Sequence, residues 1–194
     1  MRLHDIIDNN STDKNTLHSY LDTYQEKLST RQNARNVLEI GVQRGGSIKM
    51  WHDFFPNAQI YGADIQTMEQ TPNFIKGIPR ITLMMGEDAY TQEFIKKLGN
   101  IRFDVIIDDG PHTADSMLFF AKYYTPLLAE GGISIIEDIP TYDWIEPIAI
   151  SVPQDKRRFI QVADLRQIKG RYDDLMLIVD LNLKTNDPLT QGPR

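Results

Sequence analysis

The sequence predicts an α/β fold: a doubly wound sheet of about seven strands, mostly parallel, with an antiparallel hairpin at its C-terminal edge. Three observations carry that expectation. Short apolar runs alternate with segments of helical periodicity through most of the chain, the pattern of βαβ units and a parallel sheet. Several of those runs end in Gly or in acidic residues, where a loop must begin. The last two runs are joined by a stretch too short for a helical crossover, so they must return antiparallel.

Taken in order, residues 13–29 set Leu17, Tyr20, Leu21, Tyr24 and Leu28 at helical spacing behind the capping run NNST, which predicts an amphipathic helix. NVLEIG (36–41) reads as a short buried strand ending in glycine, and GSIKMWHDFF (46–55) as a helix. AQIYGADI (58–65) and PRITLMMG (79–86) are the second and third strands. DAYTQEFIKKL (88–98) is helical, with Phe94, Ile95 and Leu98 on one face. RFDVIIDD (102–109) is the fourth strand, DSMLFFAKYYTPLL (115–128) a helix and GGISIIED (131–138) the fifth strand. RRFIQVADL (157–165) and DLMLIVDLNL (174–183) close the sheet as the hairpin. The expected organisation is one domain over residues 1–184 and a flexible tail over 185–194.

Bulk properties narrow the function classes. With 194 residues the chain can bury a core without covalent staples, and the absence of cysteine excludes disulfides, thiolate nucleophiles and cysteine-held zinc. A net charge of −6 argues against a basic nucleic-acid surface. No apolar run approaches the roughly 18 residues of a membrane span, and MRLHDIIDNNSTDK has no apolar signal core. The expectation is a soluble, cytoplasmic protein without nucleic-acid or membrane partners.

The first strand-to-helix turn is rich in glycine. Glu39 and Gly41 stand at the strand end, while Gly45, Gly46 and Ser47 open the helix, whose first N–H groups are free for a ligand. The spacing is not G-x-G-x-x-G, so a dinucleotide is not the first choice. Asp64 ends the second strand, where a carboxylate can accept bonds from ribose hydroxyls. Each feature alone is also what an ordinary turn and a solvated strand end would show; together, in this order, they favour a nucleoside ligand.

EIGVQRG matches E/D-x-G-x-x-x-G at Glu39, Gly41 and Gly45, and with Asp64 it resembles the class I S-adenosylmethionine-dependent methyltransferases, whose domain is Rossmann-like. The resemblance implies that Glu39 and the loop from Gly41 to Ser47 hold the methionine part of S-adenosyl-L-methionine, and that Asp64, with Ile65 and Gln66 after it, holds the ribose. GEDAY falls where that family frames the adenine, which marks Glu87, Asp88 and Ala89.

The fourth strand runs into paired aspartates, Asp108 and Asp109, and His112 follows three residues later. Consecutive parallel strands usually neighbour one another, which places the ends of DVIIDD and ISIIED together at the carboxyl edge of the sheet. Asp108, Asp109, Glu137 and Asp138 then crowd one region, where like charges repel. A divalent cation with all-oxygen ligands, Mg²⁺ or Mn²⁺, would relieve them. His112 suits proton removal near neutral pH. The plainer reading makes these acids solvated strand ends and His112 a packing or capping residue; their convergence with the cofactor turn weighs against it.

Asp109, His112, Glu137 and Asp138 also resemble, position for position, the site of the metal-dependent sugar O-methyltransferases of macrolide biosynthesis, the mycinamicin and macrocin type. The resemblance runs over roughly residues 11–180 and includes TDKNTLHSY before the cofactor domain. It implies metal binding by Asp109, Glu137 and Asp138, catalysis by His112 with Asp109, and a helical cap over the cofactor cleft from residues 1–30. Asp108 is grouped with the cofactor residues, although contact with the metal is an alternative. Two departures are expected from the sequence: a short chain without the large N-terminal domain some relatives carry, and Pro111 in DDGPH where a small residue is the more usual choice. The expected activity is Mg²⁺-dependent methylation of a hydroxyl on a sugar, glycan or glycoside. Two alternatives stay open: a catechol-type or other vicinal-diol O-methyltransferase, and a non-catalytic nucleoside-binding module. The acceptor's identity and assembly as a homo-oligomer are not specified by the sequence.

Overall fold

The computed structural model describes residues 1–183. The expected tail, 185–194, lies outside them. Seven strands form one sheet: β1 (Asn36–Ile40), β2 (Gln59–Asp64), β3 (Ile81–Met85), β4 (Phe103–Asp108), β5 (Leu128–Ile136), β6 (Ile160–Asp164) and β7 (Leu175–Asp180). Their order is β3-β2-β1-β4-β5-β7-β6. The β3-β2-β1-β4-β5 part is parallel, while β7 runs antiparallel to both β5 and β6. The expected C-terminal hairpin is therefore present, with β7 slotted against β5 and β6 outermost.

The central strands read as continuous apolar runs because helices cover both faces. Alternation then sorts neighbouring residues to opposite sides. Val37, Val105, Ile107, Ile133, Ile135, Met176 and Ile178 join one core with α1 (Leu21–Leu28) and α2 (Gly46–Phe54). Leu38, Ile106, Ile136, Leu175, Leu177 and Val179 join the other, with α3 (Gln92–Leu98), α4 (Ala114–Tyr123) and α5 (Ile145–Ser151). A single turn, α6 (Arg166–Lys169), sits in the β6–β7 connection. No helix among the described residues is long and apolar enough to cross a membrane.

Two local expectations change. The helix expected over 13–29 begins only at Leu21; residues 14–18 form turns instead, and Leu17 is exposed. The periodic stripe is real from Tyr20 onward, where Tyr20, Leu21, Tyr24 and Leu28 are buried. Upstream, Lys14 and His18 turn into the protein to reach buried acids, which continued helical winding did not anticipate. The second change is α5, which carries Pro147 in its first turn, a position that tolerates proline. Pro140 and Pro153 bracket it, and the sequence reading assigns no element to this segment.

Candidate active site

The parallel order reverses direction between β1 and β4, the switch point where open α/β sheets bind ligands outside the carboxyl strand ends. A cleft of about 470 Å³ opens there. One wall carries Gly41, Asp64, Ile65, Gln66, Glu87, Asp88, Ala89 and Tyr90; the other carries Asp109, Gly110, Pro111, His112 and Asp138, with Asp13 at the rim. The structure thus gathers ten of the residues singled out from the sequence into one cavity. Glu39, Gly45, Ser47, Asp108 and Glu137 do not line it.

The glycine-rich turn is shaped by what it packs against. Gly41 has φ +96°, and a Cβ there would lie 1.8 Å from the Asp109 carbonyl oxygen. Only glycine fits, and this contact presses the β1 turn against the β4 turn. Gly45, left-handed at φ +74°, starts α2. Asp64 holds the same turn: its Oδ2 accepts from the Val42 and Gln43 backbone N–H groups at 2.7 and 2.9 Å, and its Oδ1 from Gln66 N–H at 2.8 Å. Three of about four acceptor positions on this carboxylate are therefore committed to backbone. Glu39 lies fully buried beneath the cleft, where Ser47 Oγ donates to its Oε2 at 2.7 Å and its Oε1 has no hydrogen-bond partner. Burial, only partly offset by Lys14, pushes the Glu39 carboxyl up to about 7.

Strand alternation splits the paired acids. Asp108 turns to one face, where the Tyr90 hydroxyl donates to it, and burial pushes its carboxyl up to about 7. Asp109 turns to the other. In the same way Glu137 faces inward, fully engaged with the Lys14 ammonium and the Tyr24 hydroxyl, while Asp138 faces the cleft. Of the four carboxylates expected together, Asp108 is set apart, Asp109 and Glu137 meet at Lys14, and Asp138 faces the cleft beside Asp109. The donor atoms that converge are those of Asp109, His112 and Asp138, all within 4.8 Å of one another. His112 Nε2 is 3.3 Å from Asp138 Oδ2 and 3.8 Å from Asp109 Oδ1. Two carboxylate oxygens and an imidazole nitrogen facing an open cleft suit a divalent ion that completes its shell with water or substrate oxygens. His112 and Asp138 both adopt positive φ, +53° and +56°, a conformation that costs energy for residues with side chains and persists only where surroundings enforce it. At His112 the enforcement is visible: Thr113 begins a capping box with Ser116 that fixes the start of α4.

Sequence reading missed the groups that hold these acids in place. The fully buried Lys14 donates to Asp109 Oδ2 at 2.7 Å, contacts Glu137, and lies 3.5 Å from Glu39 Oε1. Burial pushes its ammonium down, but Asp109, Glu137 and Glu39 together outweigh burial and hold it well above the usual lysine range. His18 Nδ1 is 2.7 Å from Asp174 Oδ1 and 3.1 Å from Asp138 Oδ1. The Tyr20 hydroxyl donates to Asp138 and to the Asp173 carbonyl. Burial holds the Tyr20 and Tyr24 hydroxyls above the ordinary phenol range, reinforced by the nearby carboxylates, so both remain donors. The only sequence signal for Lys14 and His18 was their spacing of four, two polar residues on one side of a segment otherwise read by its apolar stripe.

A family model described as a methyltransferase domain matches residues 38–139. Over 139 residues the chain is 34% identical to mycinamicin VI 2''-O-methyltransferase of Micromonospora griseorubida, covering 66% of this chain and 33% of that protein. Over 140 residues it is 30% identical to demethylmacrocin O-methyltransferase of Streptomyces fradiae, covering 66% and 34%. The chain therefore spans about a third of the length of the curated relatives it matches. Among solved structures, MycE methyltransferase from the mycinamycin biosynthetic pathway, in complex with Mg and SAH, aligns with a TM-score of 0.64 at 24% identity, covering 92% of this chain and 53% of that one. At that identity the likeness bears on the fold.

Proposed function

The chain belongs to the methyltransferase-domain family, and on that premise we propose that it is an S-adenosylmethionine- and Mg²⁺-dependent O-methyltransferase acting on a hydroxyl of a sugar or glycoside. The observation that carries the proposal is the shared cavity. The nucleoside-sized wall from Asp64 to Ala89 and the Asp109–His112–Asp138 cluster face each other across one cleft, so a methyl donor and a cation-assisted acceptor would meet there. The curated relatives named above act, by their names, on mycinamicin VI and demethylmacrocin, and others on L-olivosyl and rhamnosyl compounds, which supports a sugar-bearing acceptor over a catechol. A cytoplasmic setting without nucleic-acid or membrane partners completes the proposal.

Bound in this cleft, the donor supplies an electrophilic methyl group, and a divalent ion supplies positive charge that lowers the pKa of an acceptor hydroxyl. The chain's residues do the rest. Asp64 fixes the glycine-rich turn and keeps about one acceptor position for a ribose hydroxyl. Ile65, Gln66, Glu87, Asp88 and Ala89 flank the base, while Gly41 and Gln43 of the glycine-rich turn flank the methionine portion, with Glu39 supporting that turn from beneath. Asp109 and Asp138 hold the cation, and Glu137 supports Asp109 through their shared Lys14. His112 would take, at Nε2, the proton released when the acceptor hydroxyl is methylated. The convergence of His112 with both carboxylates favours a second reading, in which it is a third ligand.

Radiolabelled methyl transfer from S-adenosylmethionine to a panel of glycosides with adjacent hydroxyls tests the proposal. Transfer that stops in EDTA and returns with Mg²⁺ is expected. Cofactor binding with equal turnover in EDTA would refute the cation's role, and transfer only to catechols would move the acceptor class.

A further inference from the structure

Lys14 is a fully buried amine, and a lysine is almost never fully buried unless it is paired. Here it meets carboxylates from three strand ends at once: Glu39, the fourth residue of β1, Asp109 just past β4, and Glu137 just past β5. Asp109 is the shared group. Its Oδ2 faces Lys14 on the inner side, and its Oδ1 faces His112 at the cleft. The segment carrying Lys14 is tied down at several points. Lys169 Nζ donates to the carbonyls of Asn15 and His18, the latter at 2.7 Å, and the Tyr20 N–H reaches the Lys14 carbonyl at 3.2 Å. Nearby, the Ser11 backbone packs so closely on Gly46 that a Cβ there would lie 2.4 Å from it.

Resting on the reading of the cleft as a cation site, we propose that Lys14 is a fixed internal cation, held on the inner side of Asp109, that keeps the acid cluster folded before any metal arrives and loosens the grip on that metal. Two consequences follow from charge alone. Without the ammonium, Asp109, Glu137 and Glu39 would share a desolvated pocket uncompensated, so the metal-free fold would weaken. The outward site would lose a like charge a few ångströms away, so a divalent ion would bind more tightly. Lys14 is thus a positioning residue that sets metal affinity and frees folding from dependence on metal.

The test compares the full chain with its Lys14→Met and Lys14→Arg variants, using Mn²⁺ alone, by calorimetry and by thermal unfolding in EDTA and in Mn²⁺. Lys14→Met should bind Mn²⁺ at least about tenfold more tightly, because an unscreened like charge is gone. It should unfold earlier than wild type in EDTA and regain most of that loss in Mn²⁺, whereas the wild-type midpoint should respond little. Lys14→Arg, which keeps the charge, should bind Mn²⁺ like wild type. A folded Lys14→Met protein with wild-type or weaker affinity overturns the proposal. If that variant does not fold, amine acylation of wild type read by mass spectrometry decides. A Lys14 protected with and without Mn²⁺ supports a fixed cation, and labelling that rises with Mn²⁺ overturns it by showing expulsion. Failure of wild type and variants alike to bind Mn²⁺ would instead overturn the cation-site reading, and this inference with it.

Discussion

Replacing Asp64 with alanine removes a carboxylate that holds three backbone N–H groups, at 2.7, 2.9 and 2.8 Å. Hydrogen bonds to a charged acceptor are worth roughly 1.5–3 kcal/mol each when buried. Asp64 is only half-buried, so water would recover a large part of that sum in the variant. Gln43, one of the three, sits at φ +42°, and without its acceptor the turn can relax away from that conformation. A loss of at least about 1.4 kcal/mol in ligand binding follows, which is tenfold in affinity, while the sheet stays folded because Asp64 contributes no apolar burial. Calorimetric titration with S-adenosylhomocysteine measures it. A second titration with the analogue lacking the ribose 2'-hydroxyl separates the carboxylate's two tasks. Wild type should bind that analogue more weakly, and Asp64→Ala should discriminate less between the two ligands. Unchanged affinity for S-adenosylhomocysteine in Asp64→Ala would refute the reasoning, since neither the turn nor a ribose contact would then depend on this residue.

Gly41→Ala combines positive φ with a Cβ 1.8 Å from the Asp109 carbonyl, so it should cost about 3 kcal/mol or more from strain and overlap; urea unfolding at wild-type stability would contradict this. His112→Ala should keep Mn²⁺ and S-adenosylhomocysteine affinity near wild type while turnover falls by about 10²–10⁴, and loss of Mn²⁺ affinity instead would make it a ligand. Asp109→Asn and Asp138→Asn should weaken Mn²⁺ binding and recover part of their turnover in excess metal, by mass action; rescue of His112→Ala by metal would break that contrast. The Asp108 carboxyl stands at about 7 in the fold against 3.8 for the free group, chiefly through burial. The folded state therefore keeps a proton that the unfolded chain gives up, and stability should fall as pH rises from about 4 to about 7. Asp108→Asn, which removes the charge and keeps an acceptor for Tyr90, should flatten that decline in denaturant titrations at pH 5 and 8; an unchanged slope would remove Asp108 as its cause.

The features readable from sequence are those encoded locally. An apolar run that stops at Asp64, at Asp108–Asp109 or at Glu137–Asp138 states both the strand and its end, and parallel order then places those ends together. The pairing was read too simply. Alternation separates Asp108 from Asp109 and Glu137 from Asp138, but with Asp108 beside Ile136 it sets Glu137 on the same side as Asp109, where both reach Lys14, and Asp138 faces the cleft from left-handed backbone beyond β5. Lys14 lies 95 residues from Asp109 in sequence and 123 from Glu137, and nothing local marks a lysine destined for burial. The helix expected from residue 13 failed for the same reason: long-range pairing of Lys14 and His18 with buried acids outweighs a weak local winding preference. The left-handed backbones of His112 and Asp138 are not specified locally either: Asp and His enter positive φ more often than most residues with side chains, but far too seldom to single out these two positions.

The central claim, that this cleft takes an S-adenosylmethionine-type nucleoside beside a divalent cation, is tested most directly by calorimetric titration of the full chain with S-adenosylhomocysteine in the presence of Mg²⁺, followed by the same titration on Asp109→Asn. Saturable one-to-one binding to both proteins is expected, because Asp109 serves the cation and lies across the cleft from the nucleoside wall, with methyl transfer reduced in the variant and partly restored by excess metal. Absence of binding by the wild-type chain would contradict the claim outright.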